Sequence, residues 1–207
     1  MSQQPTLTLS LQTIDGGSPR VKEVLDKALK QVGFIPNMYG YMVNSPALLE
    51  TYLFGYNQFR SESGFNPVEQ EVVFLTISRE NACHYCVAAH SVIADAYSKV
   101  PAEVTDAIRN GTDIPDARLK ALSRFTKVLL DSRGRPCKTE VAAFIAAGYT
   151  EVHVLSVLLA ISVKTLSNYA NHLFETPLDD MFKSREWSQI DANSSCDSNE
   201  CTASLAK

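Results

Sequence analysis

The segment Asn66-Pro67-Val68-Glu69-Gln70-Glu71-Val72-Val73-Phe74-Leu75-Thr76-Ile77, followed after five residues by Cys83-His84-Tyr85-Cys86-Val87-Ala88-Ala89-His90, governs both the architecture and the chemistry of this chain. Asn66 is a good helix N-cap, Pro67 suits the first helical position, and Glu69 stands where a capping box needs a carboxylate. The helix they start is apolar on nearly every side from Val72 to Ile77, so it lies at the centre of its own domain or between subunits. A break at Asn81 and a second helix from about Cys83 to Lys99 follow. At about 100° per residue, Cys86 falls about 60° and His90 about 20° behind Cys83, which puts all three on one narrow helix face.

Outward from this segment the chain reads as helix after helix. Val21, Val24, Leu25, Ala28 and Leu29 follow helical spacing from Arg20, Gly33 and Pro36 end that helix, and Asn37 is placed to cap the next. Pro46 breaks the chain before a helix over Leu48 to Arg60. A short helix ends at Gly111, another spans Leu119 to Leu130, and Lys138 to Ala147 is stopped by Gly148. The last long helix runs from Thr150 to Phe174. We expect an extended arm over residues 1–19, with a short strand possible at Thr6 to Leu11, one helical domain over 20–183, and a flexible polar tail over 184–207. The expected fold class is all-α.

Composition narrows the function classes. Of 207 residues 45% are hydrophobic, enough for a real core, and a net charge of −4 with scattered Lys and Arg gives no nucleic-acid footprint. The apolar run Val152 to Val163, followed by Lys164, falls short of the roughly 20 residues of a membrane span, so no membrane partner is expected. With no basic and apolar leader at the start, a cytoplasmic location is the expectation. There, five cysteines do not form a disulfide framework, and the pair Cys83 and Cys86 reads as redox or metal chemistry.

A reactive thiol needs a lowered pKa, access and a partner sulfur. Cys83 stands at the helix start, where free amides and the helix dipole favour a thiolate, and His90 can take or return a proton. Zinc is the alternative, with His84 or a remote residue completing a tetrahedral set. The plain structural reading is two small buried cysteines and a satisfied histidine. His172, with Asn168 and Asn171, either reaches the site from the last helix or is a capping or core histidine.

The pattern Glu71, eleven residues, Cys83-x-x-Cys86, three residues, His90 resembles the signature of alkylhydroperoxidase D-like proteins, within the carboxymuconolactone decarboxylase superfamily. Gly33-Phe34-Ile35-Pro36-Asn37, Pro46-Ala47-Leu48-Leu49 and the stretch from Asn168 to Thr176-Pro177-Leu178 resemble its peroxidase-related branch, and the likeness covers most of residues 20 to 182. The resemblance implies an antiparallel helical bundle, a homo-oligomer, and reduction of small hydroperoxides without haem, flavin or a required metal. It implies that Cys86 attacks the peroxide, Cys83 resolves the sulfenic acid to a disulfide, Glu71 and His90 relay protons, and an external dithiol protein restores the thiols. One departure stands out: the best-understood relatives carry a histidine immediately before the second cysteine, where this chain has Tyr85, with His84 one position earlier. The competing expectations are decarboxylation of a cyclic lactone acid, whose enzymes generally lack the cysteine pair, and a non-catalytic zinc-binding or redox-sensing module.

Overall fold

The computed structural model describes residues 4–188, and among these every regular element is a helix. The chain forms α1 (Pro19–Val32), α2 (Asn37–Met42), α3 (Pro46–Glu62), α4 (Pro67–Glu80), α5 (His84–Ile93), α6 (Ala102–Asn110), α7 (Ala117–Asp131), α8 (Lys138–Ala146) and α9 (Glu151–Phe174). Helix α4 begins as its sequence dictates: the Asn66 side chain accepts from the Glu69 amide while the Glu69 carboxylate accepts from the Asn66 amide. Every residue from Glu69 to Ser78 is buried, so α4 is the central helix, packed on α5, α6, α7 and α9. Burial of its apolar side chains supplies much of the drive to fold, at about 1.5–3 kcal/mol for each fully buried large one.

The core has two parts that meet at Tyr56 of α3 and Leu159 of α9, which pack against both. One gathers Phe74, Leu122, Phe125, Phe144 and Tyr149, with Phe125, Phe144 and Tyr149 stacked ring on ring. The other gathers Leu25, Met42, Leu49, Tyr52 and the two cysteines. Helices α3 and α9 cross closely at Gly55, where an added Cβ would stand 2.8 Å from Val163 Cγ2. A side chain there would force the helices apart.

Several expectations change. Pro46 opens α3 at its first position instead of standing apart from it, as a missing amide costs nothing there. Asn37 does not cap α2 but lies inside it; the carboxylate of Asp179 accepts from the Asn37 amide, 3.2 Å from each oxygen, and does the capping. The second helix of the leading segment keeps α geometry only to Ile93, then widens to a π turn over Ala94–Ser98 that ends at a left-handed Lys99. The N-terminal arm forms no strand. Its Thr6 and Leu7 amides instead bond the Leu173 carbonyl, left over at the end of α9, and Gln12 bonds Gly40.

Residues 184–188, expected to begin the flexible tail, belong to the folded domain. A 3₁₀ turn spans Asp180–Arg185, and Trp187 is buried, its indole donating to the Arg109 carbonyl at 2.9 Å. Cys196, Cys201 and the rest of the expected tail lie outside the described residues.

The apolar stretch of α9 is only half interior. Val152, Leu155 and Leu158 lie on its outer face at 67%, 65% and 47% exposure, whereas Val157, Ala160 and Val163 are buried. By length and composition α9 is apolar enough to cross a membrane, but its inner face carries Lys164, Asn168 and Asn171 and packs against α2, α3 and α4.

Candidate active site

Four helices bring the site together. Tyr52, Tyr56 and Arg60 recur every four residues on α3, Glu71 and Phe74 face them from α4, and α5 contributes Cys86 and His90. Lys164, Asn168 and Asn171 come from the inner face of α9. Between α4 and α5 the chain turns through Ala82 at φ 53°, a conformation costly for a residue with a Cβ. The turn is held by the Asn81 side chain donating to Asn168 Oδ1 at 2.9 Å and by the Cys83 amide donating to the Ser78 carbonyl at 2.9 Å.

Glu71 is fully buried and bonded on both oxygens. Arg60 Nη2 donates to Oε1, and His90 Nδ1 lies 2.8 Å from Oε2. Burial opposes its charge, but His90 and Arg60 outweigh burial and hold the carboxyl below its ordinary range. An ionised carboxylate only accepts, so Nδ1 carries the hydrogen and neutral His90 has its lone pair on Nε2. Burial, helped by the Lys164 charge, pushes the His90 pKa down despite Glu71, which keeps the ring neutral and basic at Nε2. Arg60 is fixed in turn by Tyr56 Oη at 2.7 Å and Gln70 Oε1 at 3.1 Å, with its guanidinium 4.9 Å from the centroids of both the Tyr56 and Phe74 rings.

Both cysteines are free thiols, and they differ. Cys83 is the N-cap of α5 and wholly buried, and burial together with its hydrogen bond to Cys86 pushes its thiol up. Cys86 sits in the first turn of α5 and opens on a cavity. Burial disfavours its thiolate, but the Cys83 hydrogen bond, the Lys164 charge and the Asn171 amide overcome that and push its pKa down. The expectation that Cys83 is the more acidic thiol, because it stands at the helix start, is therefore reversed. The N-cap position buries its sulfur, whereas Cys86 is the one aimed at donors. Asn171 Nδ2 lies 3.2 Å from Cys86 Sγ, 3.7 Å from Cys83 Sγ and 3.2 Å from Met38 Sδ.

The cavity over Cys86 has a volume of about 370 Å³, with walls from Phe34, Tyr39, Tyr52, Tyr56 and Phe182 and polar groups from Cys86, His90 and Lys164. A small organic molecule with an apolar body fits such a space.

The accessory candidates fall elsewhere. His84 turns outward, its Nδ1 2.9 Å from the Trp187 carbonyl, so it stands apart from the site. Tyr85 borders the cavity, but its hydroxyl donates to Asp179, and burial with that bond pushes its pKa far up. It is a strut between α5 and the α2 cap. His172 is exposed and stacks on Tyr169, and the neighbouring Asn171 is the residue of α9 that reaches the sulfurs. No three His, Cys, Asp or Glu side chains among the described residues are grouped to hold a metal ion, and His84, the candidate fourth zinc ligand, faces the Trp187 carbonyl. Cys137 is exposed at the start of α8, and a hydrogen bond with Thr139 lowers its pKa.

Sequence reasoning missed Arg60 and Lys164, and named Asn171 only as a companion of His172. The signal for Lys164 was a lysine directly after an apolar run inside a helix, which reads as the end of that run but is a buried charge.

The fold has structural counterparts. The chain is similar to a peroxidase-related protein with an alkylhydroperoxidase D core from Ralstonia eutropha JMP134, at TM-score 0.73 and 20% identity, covering 87% of this chain and 96% of that one. A peroxidase-related protein from Silicibacter sp. TM1040 matches at TM-score 0.70 and 16% identity over 88% and 96% of the two chains. The debrominase Bmp8, in a C82A form bound to 2,3,4-tribromopyrrole, matches at TM-score 0.67 and 16% identity over 88% and 97%. No protein-family model matches the sequence, and no curated protein does. The chain thus has the all-α fold of the alkylhydroperoxidase D core.

Proposed function

We propose that this chain is a thiol-dependent oxidoreductase that reduces small hydroperoxides with the Cys83–Cys86 pair. The observation that carries the reading is Cys86 at the wall of an aromatic cavity, its thiolate favoured, beside a His90 held by Glu71. The sequence signature formed by Glu71, Cys83, Cys86 and His90 supports it independently. In the cycle the Cys86 thiolate attacks the outer oxygen of the hydroperoxide and the O–O bond breaks. The sulfur is left as a sulfenic acid, and the alkoxide takes the proton that Cys86 gave up on ionising, passed through His90 Nε2, to become the alcohol. The Cys83 thiol then attacks that sulfur, an S–S bond forms and water leaves. The balance is one hydroperoxide and two thiols to one alcohol, one water and one disulfide. An external dithiol protein, oxidised in exchange, returns the pair to thiols. No organic cofactor enters this balance.

The exposed apolar stripe of Val152, Leu155 and Leu158 supports the accompanying proposal of a homo-oligomer. A cytoplasmic setting, where dithiol reductants are abundant, suits the cycle.

A second reading, reductive removal of halogen from a small haloaromatic, is favoured by the aromatic walls of the cavity and by the tribromopyrrole bound to a protein of the same fold. It consumes the same two thiols. The Cys86 sulfur takes the halogen, the ring carbon takes a proton, and Cys83 displaces halide to form the disulfide.

Turnover assays with dithiol reductant and either a small alkyl hydroperoxide or tribromopyrrole separate these readings. Cys86→Ser should abolish hydroperoxide consumption, and Cys83→Ser should allow one turnover that stops at a Cys86 sulfenic acid. Undiminished hydroperoxide turnover by Cys86→Ser would refute the assignment. Bromide release with no hydroperoxide consumption by the unmodified protein would install the second reading.

A further inference from the structure

Lys164 is the least expected residue in this core. It is 1% exposed, on the inner face of the longest helix, yet among the described residues it has no ion-pair partner. Its ammonium stands 5.6 Å from the centroid of the Phe74 ring and borders the cavity shared with Cys86 and His90. A lysine charge taken out of water without a counter-charge is costly, and an aromatic face offsets only part of that cost.

The charges around it show what is lacking. Arg60 is already matched by Glu71, and Glu71 is the one carboxylate of the cluster. His90 is bonded to Glu71 and held neutral. Burial pushes the hydroxyls of Tyr39, Tyr52 and Tyr56 up, and Tyr85 is committed to Asp179, so none of these supplies an anion. Cys83 is held as a thiol. The cluster has two cations and one anion until Cys86 ionises.

We propose that Lys164 is a positioning residue that acts through Cys86, its buried ammonium being the counter-charge against which the Cys86 thiolate forms. A redox consequence follows. When the Cys86 thiolate and the Cys83 thiol join, two electrons and the one remaining thiol proton pass to the oxidant, the sulfur anion is gone, and Lys164 is left unmatched among apolar walls. The reduced state is favoured over the oxidised one, which makes the disulfide a readier oxidant of an external dithiol. The proposal takes the reactive sulfur from the function proposed above but needs no peroxide to be tested.

The test is the pH profile of Cys86 alkylation by iodoacetamide in the full-length reduced protein, read by mass spectrometry of the peptide that carries it. In the unmodified chain the midpoint should fall below the ordinary thiol value of about 8.5. Lys164→Met should raise it by at least about one unit, a tenfold loss of thiolate below the midpoint, and Lys164→Arg, which keeps the charge, should restore most of the shift. Lys164→Met should also move the glutathione equilibrium of the Cys83–Cys86 pair about tenfold toward disulfide. A midpoint at or above about 8.5 in the unmodified protein overturns the proposal without any variant. A folded Lys164→Met protein with an unchanged midpoint overturns it as well. An acidic Cys86 that depends on Lys164 in a protein that consumes no hydroperoxide would sustain this inference and remove the proposed function.

Discussion

Glu71 and His90, nineteen residues apart in sequence, meet through a 2.8 Å bond between Oε2 and Nδ1, with side chains 0% and 5% exposed. The bond joins the two central helices at the level of Cys86. It fixes which nitrogen of His90 carries the hydrogen, and so leaves Nε2 as the basic atom. Arg60 closes the far side of the carboxylate, so the charge of Glu71 is matched and its oxygens are both used.

Replacing Glu71 by Gln should therefore harm both stability and turnover. Removing one member of a buried ion pair costs about 3–5 kcal/mol, and the amide retains part of the bonding, so about 3 kcal/mol is expected, a Tm loss of about 6–12 °C. Turnover should fall about a hundredfold as the ring loses its fixed tautomer. The same pair sets the acid limb of stability. The folded Glu71 pKa lies below its ordinary 4.5, so its contribution is present above that value and is lost as pH falls through the folded one. The folded His90 pKa lies below 6.5, so the unfolded chain binds a proton there that the folded chain resists. Denaturant titrations should show stability declining as pH drops below about 6.5 and declining further below about 4.5, with the second fall reduced in Glu71→Gln. A flat profile between pH 7 and 4 would contradict this account.

Asn171→Leu separates sulfur chemistry from packing. The Asn171 amide nitrogen faces Cys86, Cys83 and Met38, while its Oδ1 is buried without a hydrogen-bond partner. Leucine removes the donor and the orphan acceptor together, so thermal stability should change by less than about 1 kcal/mol. A hydrogen bond to a charged acceptor contributes about 1.5–3 kcal/mol, so the Cys86 midpoint should rise by about one unit. An unshifted midpoint would remove Asn171 from the site's electrostatics.

What could be read in advance was what is local. Asn66, Pro67 and Glu69 specify the start of α4 through contacts within four residues, and Thr150 starts α9 through a matching box with His153. The unbroken apolarity of Val72 to Ile77 foretold a central helix, because no other place in the fold offers an apolar neighbour on every side. The spacing of Glu71, Cys83, Cys86 and His90 brought the right residues forward. It could not give the phase of α9, where one step round the helix separates exposed His172 from Asn171 at the sulfurs. Nor could it show that Cys83 would be sealed as an N-cap while Cys86 faced the cavity. Arg60 and Lys164 were unreadable for a deeper reason. A cation in a helix is ordinarily solvated, and only the packing of α3, α4 and α9 buries Lys164 and leaves Arg60 about one-fifth exposed.

The most direct test of the account is a thiol count on the reduced full-length protein before and after one equivalent of a small hydroperoxide, with mass spectrometry of the peptide containing Cys83 and Cys86. The account predicts rapid loss of two thiols per chain, a disulfide between Cys83 and Cys86, and the exposed Cys137 left as a thiol. Oxidation confined to Cys137, or a Cys83–Cys86 peptide that stays reduced, would contradict it.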